Sequence, residues 1–356
     1  MPTLALAGGT SPSLGRAIVM AIFKAPKYDA WKLLILSRSS RTPAWLQAVD
    51  PRAQRHTIHA VDYSSTDSLV SALKGVHTLI SVTSAYDGTQ AQIQINLLDA
   101  ALKSGCKRFA PAQWGFGHKG WANIPTMQWT NDGVFEECAK HQHEIEISYF
   151  NFGSFMNYIG LGIFPTSTVE SDQGKAIAIM KQGGGYMPGE DEASEGLQRQ
   201  GPLADGSGAF LIGLKNAIAE LPIRPDGQWP RVTMTSMGDV GRFVAASLEL
   251  SKWEKNMSMA GETLTMGELL SHAEEVTGKK FKVDVLKSED VEKKLESCAE
   301  EDFMTRMWCE TNLAYSRDQV DETVLQPVVN SLCPEIKPIS VREYMEKFWK
   351  ILNAYD

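Results

Sequence analysis

Short apolar runs alternate with amphipathic segments along the first part of the chain. The runs are typical of parallel strands that are covered on both faces. They fall at 3–7, 31–36, 56–63, 76–82 and 106–111. Segments with apolar residues at helical spacing follow at 16–23, 69–73 and 93–103. The alternation predicts an α/β fold with a doubly wound parallel sheet, in which ligands bind at the carboxyl ends of the strands.

The rest of the chain predicts a smaller α/β region. Its strands and helices are expected at 231–235, 240–250, 265–276, 282–286, 288–301 and 341–352. A glycine-rich, acidic stretch without periodicity at 181–213 predicts a flexible flap on the substrate side, and the alternative is a solvated insertion without a role. We therefore expect a first domain at 1–153 and a second region at 154–356, parts of which return to the first sheet.

Charge and composition exclude several classes of protein. A net charge of -8 argues against a nucleic-acid surface, because binding to phosphates needs basic clusters. No apolar run approaches the length of a membrane span, and the N-terminus lacks a signal-peptide pattern. The five cysteines are scattered without a Cys-x-x-Cys pair. We expect a cytoplasmic protein with reduced thiols, no metal site, and no membrane or nucleic-acid partner.

A glycine-rich turn joins the first strand to the first helix. Gly9 is expected to permit the tight turn, and Gly15 to permit close packing of the helix on the strand. The spacing Gly9-x-x-x-Ser13-x-Gly15 is that of the short-chain dehydrogenase loop, with serine at the middle glycine. Amides at the following helix N-terminus can bind a pyrophosphate. A Rossmann-type dinucleotide site is therefore predicted at Gly9, Thr10, Ser11, Pro12, Ser13, Leu14 and Gly15.

The turn after the second strand predicts which dinucleotide is bound. An acidic residue at this place binds the ribose 2′-hydroxyl, whereas an arginine accommodates a 2′-phosphate. Arg38 and Ser39 lie in a turn without Asp or Glu, which favours NADP(H), although Arg38 could belong to a solvated loop. Further cofactor contacts are expected after the third, fourth and fifth strands, from Asp62, Tyr63, Thr83, Ser84, Ala112 and Gln113.

Residues 96–115 read NLLDAALKSGCKRFAPAQWG and resemble the NmrA-like and isoflavone reductase-like branch of the atypical short-chain dehydrogenases, which typically reads LIDAAKEAGVKRFIPSEFG here. The likeness includes the glycine turn, continues through 148–156 and 237–241, and is weaker at 262–270. As a whole, the sequence resembles the fungal members of this family. The resemblance implies NADPH binding by the first domain and a substrate pocket roofed by the smaller C-terminal region.

The resemblance leaves the proton donor open. Isoflavone reductase-like enzymes carry a lysine in a FEEKAK helix, and here Cys138 occupies that position. If Cys138 points into the site, Lys140 would point away from it, because two residues along a helix correspond to a rotation of about 200°. Three interpretations stay open. Cys138 is a small buried residue, or it is a proton donor or nucleophile with a lowered pKa. In the third, the site no longer runs the reduction and uses NADPH only structurally. His118 and Lys119 are alternative proton donors, since their loop leaves the fifth strand beside the expected position of the nicotinamide.

Aromatic residues crowd the segment 114–164. Some fill the core, and five would suit a flat polycyclic or phenolic substrate: Trp114, Trp121, Phe152, Phe155 and Tyr158. The sequence favours an NADPH-dependent oxidoreductase, monomeric or homodimeric, that acts on an aromatic or polyketide-like metabolite in secondary metabolism. The alternatives are a non-catalytic NADP(H)-sensing regulator that binds a partner protein, as NmrA-like regulators do, and a non-redox isomerase or cyclase.

Overall fold

The computed structural model describes residues 1–161 and 209–355 except residues 12 and 86, together with 164–165, 199–200 and 202–203. A six-stranded sheet in the order β3-β2-β1-β4-β5-β6 forms its first part. Its strands are β1 Thr3–Ala7, β2 Lys32–Ser37, β3 His56–Ala60, β4 Thr78–Ser81, β5 Arg108–Ala110 and β6 Glu146–Ile147. All neighbouring strands are parallel, and the strand order reverses between β1 and β4.

Helices cover both faces of this sheet because β1 buries alternate side chains on opposite sides. Leu4 and Leu6 belong to one core cluster, which includes α1, and Ala5 and Ala7 belong to another, which includes α3 and α4. The helices of this part are α1 Leu14–Lys24, α2 Ala44–Val49, α3 Thr66–Ala72, α4 Gln90–Lys103, α5 His118–Asn123, α6 Pro125–Thr130 and α7 Val134–His141. A short 3₁₀ helix spans Pro26–Ala30.

Short strands form four smaller sheets, with the orders β15-β13-β8, β11-β12-β16, β14-β7 and β10-β9. These strands are β7 Tyr149–Asn151, β8 Ser154–Phe155, β9 Phe164–Pro165, β10 Arg199–Gln200, β11 Ile212–Gly213, β12 Ile218–Pro222, β13 Arg231–Thr235, β14 Asn256–Ser258, β15 Glu262–Thr265 and β16 Lys282–Leu286. The helices are α8 Tyr158–Leu161, α9 Met237–Ser247, α10 Met266–Thr277, α11 Ser288–Ser297, α12 Phe303–Arg317, α13 Val328–Leu332 and α14 Val341–Tyr355.

Helix α9 returns to the first part of the chain and packs on α1. Gly241 permits the approach, since a methyl group there would collide with the carbonyl of Ala17. Val240, Phe243 and Val244 of α9 share a core cluster with the apolar face of α1. The second part of the chain therefore completes the hydrophobic core on one side of the parallel sheet.

The expected fold class is confirmed, and the element ends differ for local reasons. The third strand ends at Ala60 because the chain turns at Asp62, whose carboxylate accepts a hydrogen bond from the Ser64 amide at 2.9 Å. The helix expected at 240–250 begins at Met237, with Ser236 as its N-cap. As expected, Thr265 caps α10. Most of the expected flap at 181–213 lies outside the described residues.

Two further observations concern partners. Within the described part of the chain, every helix is too short or too polar to cross a membrane. In the same residues, His, Cys, Asp and Glu nowhere gather in a group of three that could hold a metal ion.

Candidate functional site

The glycine turn after β1 is built by two close contacts. Gly8 takes the left-handed conformation (φ +78°), and a Cβ there would lie 3.0 Å from the Thr83 amide nitrogen. Gly9 is expected to permit this turn, and the positive φ of the turn lies one residue earlier, at Gly8. Gly9 instead lies against Leu6. Gly15 acts as expected, because a Cβ there would lie 3.0 Å from the Gly9 Cα.

A cleft of about 750 Å³ opens beside this turn at the carboxyl ends of β1 to β4. Among the expected cofactor residues, it is lined by Thr10, Ser11, Arg38, Asp62, Tyr63, Thr83 and Ser84. The parallel sheet thus brings together residues that are up to 74 positions apart in the chain, as expected for strands whose carboxyl ends share one edge. The Arg38 side chain is exposed at this edge.

Other expected cofactor residues are not among those that line this cleft. They are Gly9, Ser13, Leu14, Gly15, Ser39, Ala112 and Gln113. Ser13 is the N-cap of α1, but its side chain accepts no hydrogen bond from the amides of the helix. Instead, the Ser13 hydroxyl lies 2.8 Å from that of Ser11. Pro12 is outside the described residues.

Tyr63 has a structural task that the sequence did not reveal. Its hydroxyl donates to the Leu36 carbonyl at 2.8 Å and accepts from the Gly8 amide at 3.0 Å. Burial raises the pKa of Tyr63 to about 12, so the hydroxyl stays protonated and keeps both bonds at neutral pH. Tyr63 therefore fixes the glycine turn to the end of β2, in addition to lining the cleft.

Two buried amides of α4 hold the loops that follow β4 and β5. Gln94 donates to the Thr83 hydroxyl at 2.8 Å and accepts from the Ala112 amide at 2.9 Å. Gln90 donates to the Thr83 carbonyl at 3.0 Å and accepts from the Ala85 amide at 3.1 Å. Sequence reasoning missed both residues, although two glutamines four positions apart on the inner face of a helix are a readable signal.

Gln113 lies fully buried just after β5. Asn131 fixes its orientation, because the Asn131 Nδ2 donates to the Met127 carbonyl at 3.1 Å and its Oδ1 must then accept from the Gln113 Nε2. The Gln113 Oε1 has no hydrogen-bond partner among the described residues. A buried acceptor without a partner is costly, so this oxygen is suited to receive a donor from a ligand or a water molecule.

Four of the five expected substrate residues form one aromatic cluster. Phe152 and Phe155 stack with ring centroids 3.8 Å apart, and Tyr158 meets Phe155 edge to face at 5.4 Å. Trp114 belongs to the same core cluster, and its indole N–H donates to the Ser81 carbonyl at 2.7 Å. The fifth residue, Trp121, is buried on α5. The cluster therefore starts at the end of β4, beside the loops that α4 holds.

The three expected catalytic side chains lie away from the cofactor cleft. Cys138 is 1% exposed, and burial raises the pKa of its thiol to about 12. It contacts Tyr149 and, with His118, lines a separate cavity of about 530 Å³. Lys119 is exposed, and its backbone amide donates to the Asp321 carbonyl at 2.9 Å. This placement favours the interpretation of Cys138 as a packed core residue, and the catalytic roles of all three stay predictions.

Comparison with known proteins gives the class. Residues 3–157 match the model of the NmrA-like family. A curated relative, Oxidoreductase BOA1 of Botryotinia fuckeliana, is 24% identical over 286 residues, which are 79% of this chain and 78% of that protein. The expected resemblance is confirmed, since the part of the chain that carries the parallel sheet matches the model of the NmrA-like family.

Two solved structures share the whole fold. Leucoanthocyanidin reductase of Vitis vinifera, in a binary complex with NADPH, has a TM-score of 0.64 at 15% identity and covers 97% of this chain and 99% of its own. The NADPH-dependent quinone oxidoreductase QOR2 of Escherichia coli, complexed with NADPH, has a TM-score of 0.60 at 17% identity, with coverages of 97% and 99%. The expected cofactor and enzyme class agree with the NADPH bound by these two proteins and with their names.

Proposed function

We propose that this protein is an NADPH-dependent reductase that transfers hydride to a flat aromatic or polyketide-like small molecule of secondary metabolism. The observation that carries the proposal is the position of Arg38. It follows β2 in the cleft that begins at the glycine turn, where a ribose 2′-phosphate would lie, and the turn at 37–41 contains no carboxylate. A planar guanidinium with five N–H donors suits a phosphate at this place.

The donor set of the cleft fits a dinucleotide. The turn at Gly8 and the close approach of Gly15 to Gly9 leave room for a pyrophosphate at the N-terminus of α1. Arg38 would bind the 2′-phosphate. The bound cofactor would supply a hydride from its nicotinamide. The chain itself binds and orients, since Gln90 and Gln94 fix the loops along the cleft.

The aromatic cluster supports the substrate class. Trp114, Phe152, Phe155 and Tyr158 belong to one core cluster, and stacked rings of this kind can exclude water from a planar ligand. The two structural neighbours have names that refer to a leucoanthocyanidin and a quinone, both of them ring compounds.

A second candidate is favoured by Cys138. The helix position at which the resembling reductases carry a lysine holds a buried thiol whose pKa is raised to about 12 by burial, so it donates no proton readily at neutral pH. A protein with this replacement could bind NADP(H) without turnover, as a regulator that senses the redox state of the cofactor and binds a partner protein.

One experiment separates the two candidates. The purified protein is titrated with NADPH, NADP⁺ and NADH by fluorescence, and nicotinamide absorbance is then followed with a panel of quinones, aromatic ketones and imines. The reductase predicts tight NADPH binding and consumption with a panel member. Tight binding without consumption favours the regulator, and failure to bind any of the three nucleotides contradicts both.

A further inference from the structure

The adenosine end of the cleft combines one basic residue with two acidic ones. Among the described residues that line it, Arg38 is basic, and Asp62 and Asp87 are acidic. A 2′-phosphate carries nearly two negative charges at neutral pH. The cleft as a whole therefore presents a net negative charge to the group that Arg38 would bind.

Asp87 and Arg38 lie on different loops of this cleft. Arg38 comes directly after β2, Asp87 lies in the loop six residues after the end of β4, and β1 lies between these two strands. Both side chains line the same cleft, so a ligand phosphate bound at Arg38 would share this cleft with the Asp87 carboxylate.

A tight turn fixes the Asp87 carboxylate in place. Its Oδ1 accepts from the Thr89 amide at 3.1 Å and from the Thr89 hydroxyl at 2.5 Å, and Gly88 supplies a left-handed residue (φ +86°). The Thr89 hydrogen bonds lower the pKa of Asp87, and the Arg38 charge lowers it further. At Asp62 the lowering of the pKa comes from hydrogen bonds with Ser64. The Asp87 carboxylate thus interacts with the Arg38 charge within the cleft that both residues line.

We propose that Asp87 is a specificity-determining residue that opposes the 2′-phosphate at Arg38 and so narrows the preference of this cleft for NADPH over NADH. The inference rests on the proposed function, since it places the dinucleotide in this cleft. In the free protein the Asp87 charge attracts Arg38. With NADPH bound, the same charge repels the 2′-phosphate, whereas NADH presents an uncharged 2′-hydroxyl. Removal of the carboxylate charge should therefore strengthen NADPH binding and leave NADH binding nearly unchanged.

The test uses Asp87→Asn, because asparagine keeps the oxygen that accepts from Thr89 and preserves the turn. Asp67→Asn is the matched control, since Asp67 is an exposed carboxylate on α3 outside the cleft. Dissociation constants of NADPH and NADH are measured by calorimetry for wild type and both variants, at low salt and at about 0.5 M salt. Adenosine 2′,5′-bisphosphate and AMP serve as probes that isolate the 2′-phosphate.

We expect Asp87→Asn to bind NADPH and the bisphosphate about three- to tenfold more tightly at low salt, with NADH and AMP changed by less than about twofold. High salt should remove most of the gain, and Asp67→Asn should match wild type. Unchanged or weaker NADPH binding in Asp87→Asn would overturn the inference, and so would an equal gain in NADH binding. In either case, NADPH binding by the wild-type protein would still support the proposed cofactor. A wild-type protein that binds none of the four would refute the proposed function and the inference together.

Discussion

Replacement of Gln94 by leucine is expected to weaken both stability and cofactor binding. Gln94 is fully buried, and its amide joins the loop after β4 at Thr83 to the loop after β5 at Ala112. Leucine has a similar size but no polar atoms. The Thr83 hydroxyl would keep its contact with Ser81 at 3.0 Å, whereas the buried Ala112 amide would lose the partner it has in Gln94.

One buried donor without a partner costs about 1–3 kcal/mol. For a chain of this size, such a loss corresponds to a fall in Tm of about 1–4 °C. Because Ala112 and Gln113 would lose their anchor to α4, we also expect NADPH to bind at least about threefold more weakly. Scanning fluorimetry and NADPH titration measure the two effects.

Gln47→Leu is the control for the Gln94 substitution. It makes the same chemical change at an exposed position of α2. We expect its Tm and its affinity for NADPH to stay near those of wild type, because no buried donor loses a partner. If Gln94→Leu unfolds at the wild-type temperature and binds NADPH as wild type does, the two loops do not depend on this amide and the reasoning is refuted.

Two other substitutions test the site, and a reaction with a thiol reagent tests the burial of the cysteines. Arg38→Ala should weaken NADPH binding about tenfold to a hundredfold while NADH binding changes little, and equal weakening in calorimetry would count against 2′-phosphate recognition. Cys138→Ala should keep its turnover within about twofold of wild type, whereas a loss beyond about a hundredfold in steady-state kinetics would show an acid–base or covalent role for the thiol. In the native protein, Cys298 is partly exposed and the other four cysteines are buried, so a thiol reagent should modify Cys298 first. Rapid labelling that persists in Cys298→Ser would contradict this order.

The fold was predictable because the apolar runs encode it directly. Strand β1 places large side chains on one face and alanines on the other, and such a run covered on both sides is typical of a parallel strand. Helix caps were equally readable, as at Thr265, where a capping box begins α10. Local chemistry determines both features, so the sequence is sufficient to find them.

The details of the site depend on distant residues and were less accessible. Gly8 and Gly9 are chemically identical, and the sequence pattern does not indicate that Gly8 is the one that takes the left-handed conformation and lies against Thr83. The task of Tyr63 depends on Leu36, which lies 27 positions earlier in the chain. Cys138 could be placed on a helix, but whether its side chain reaches the cofactor depends on how α7 packs, which the sequence pattern does not specify.

The packing of α9 on α1 has a consequence for how the chain acquires its structure. The helix that follows the glycine turn packs against residues more than 200 positions later in the chain, where Gly241 lies against the backbone of Ala17 and Ile18. During synthesis, this face of α1 would stay uncovered until α9 has left the ribosome, because domains fold only when their contacts are available. A fragment that ends at residue 153 would therefore expose an apolar surface and aggregate, although it contains all six strands of the parallel sheet.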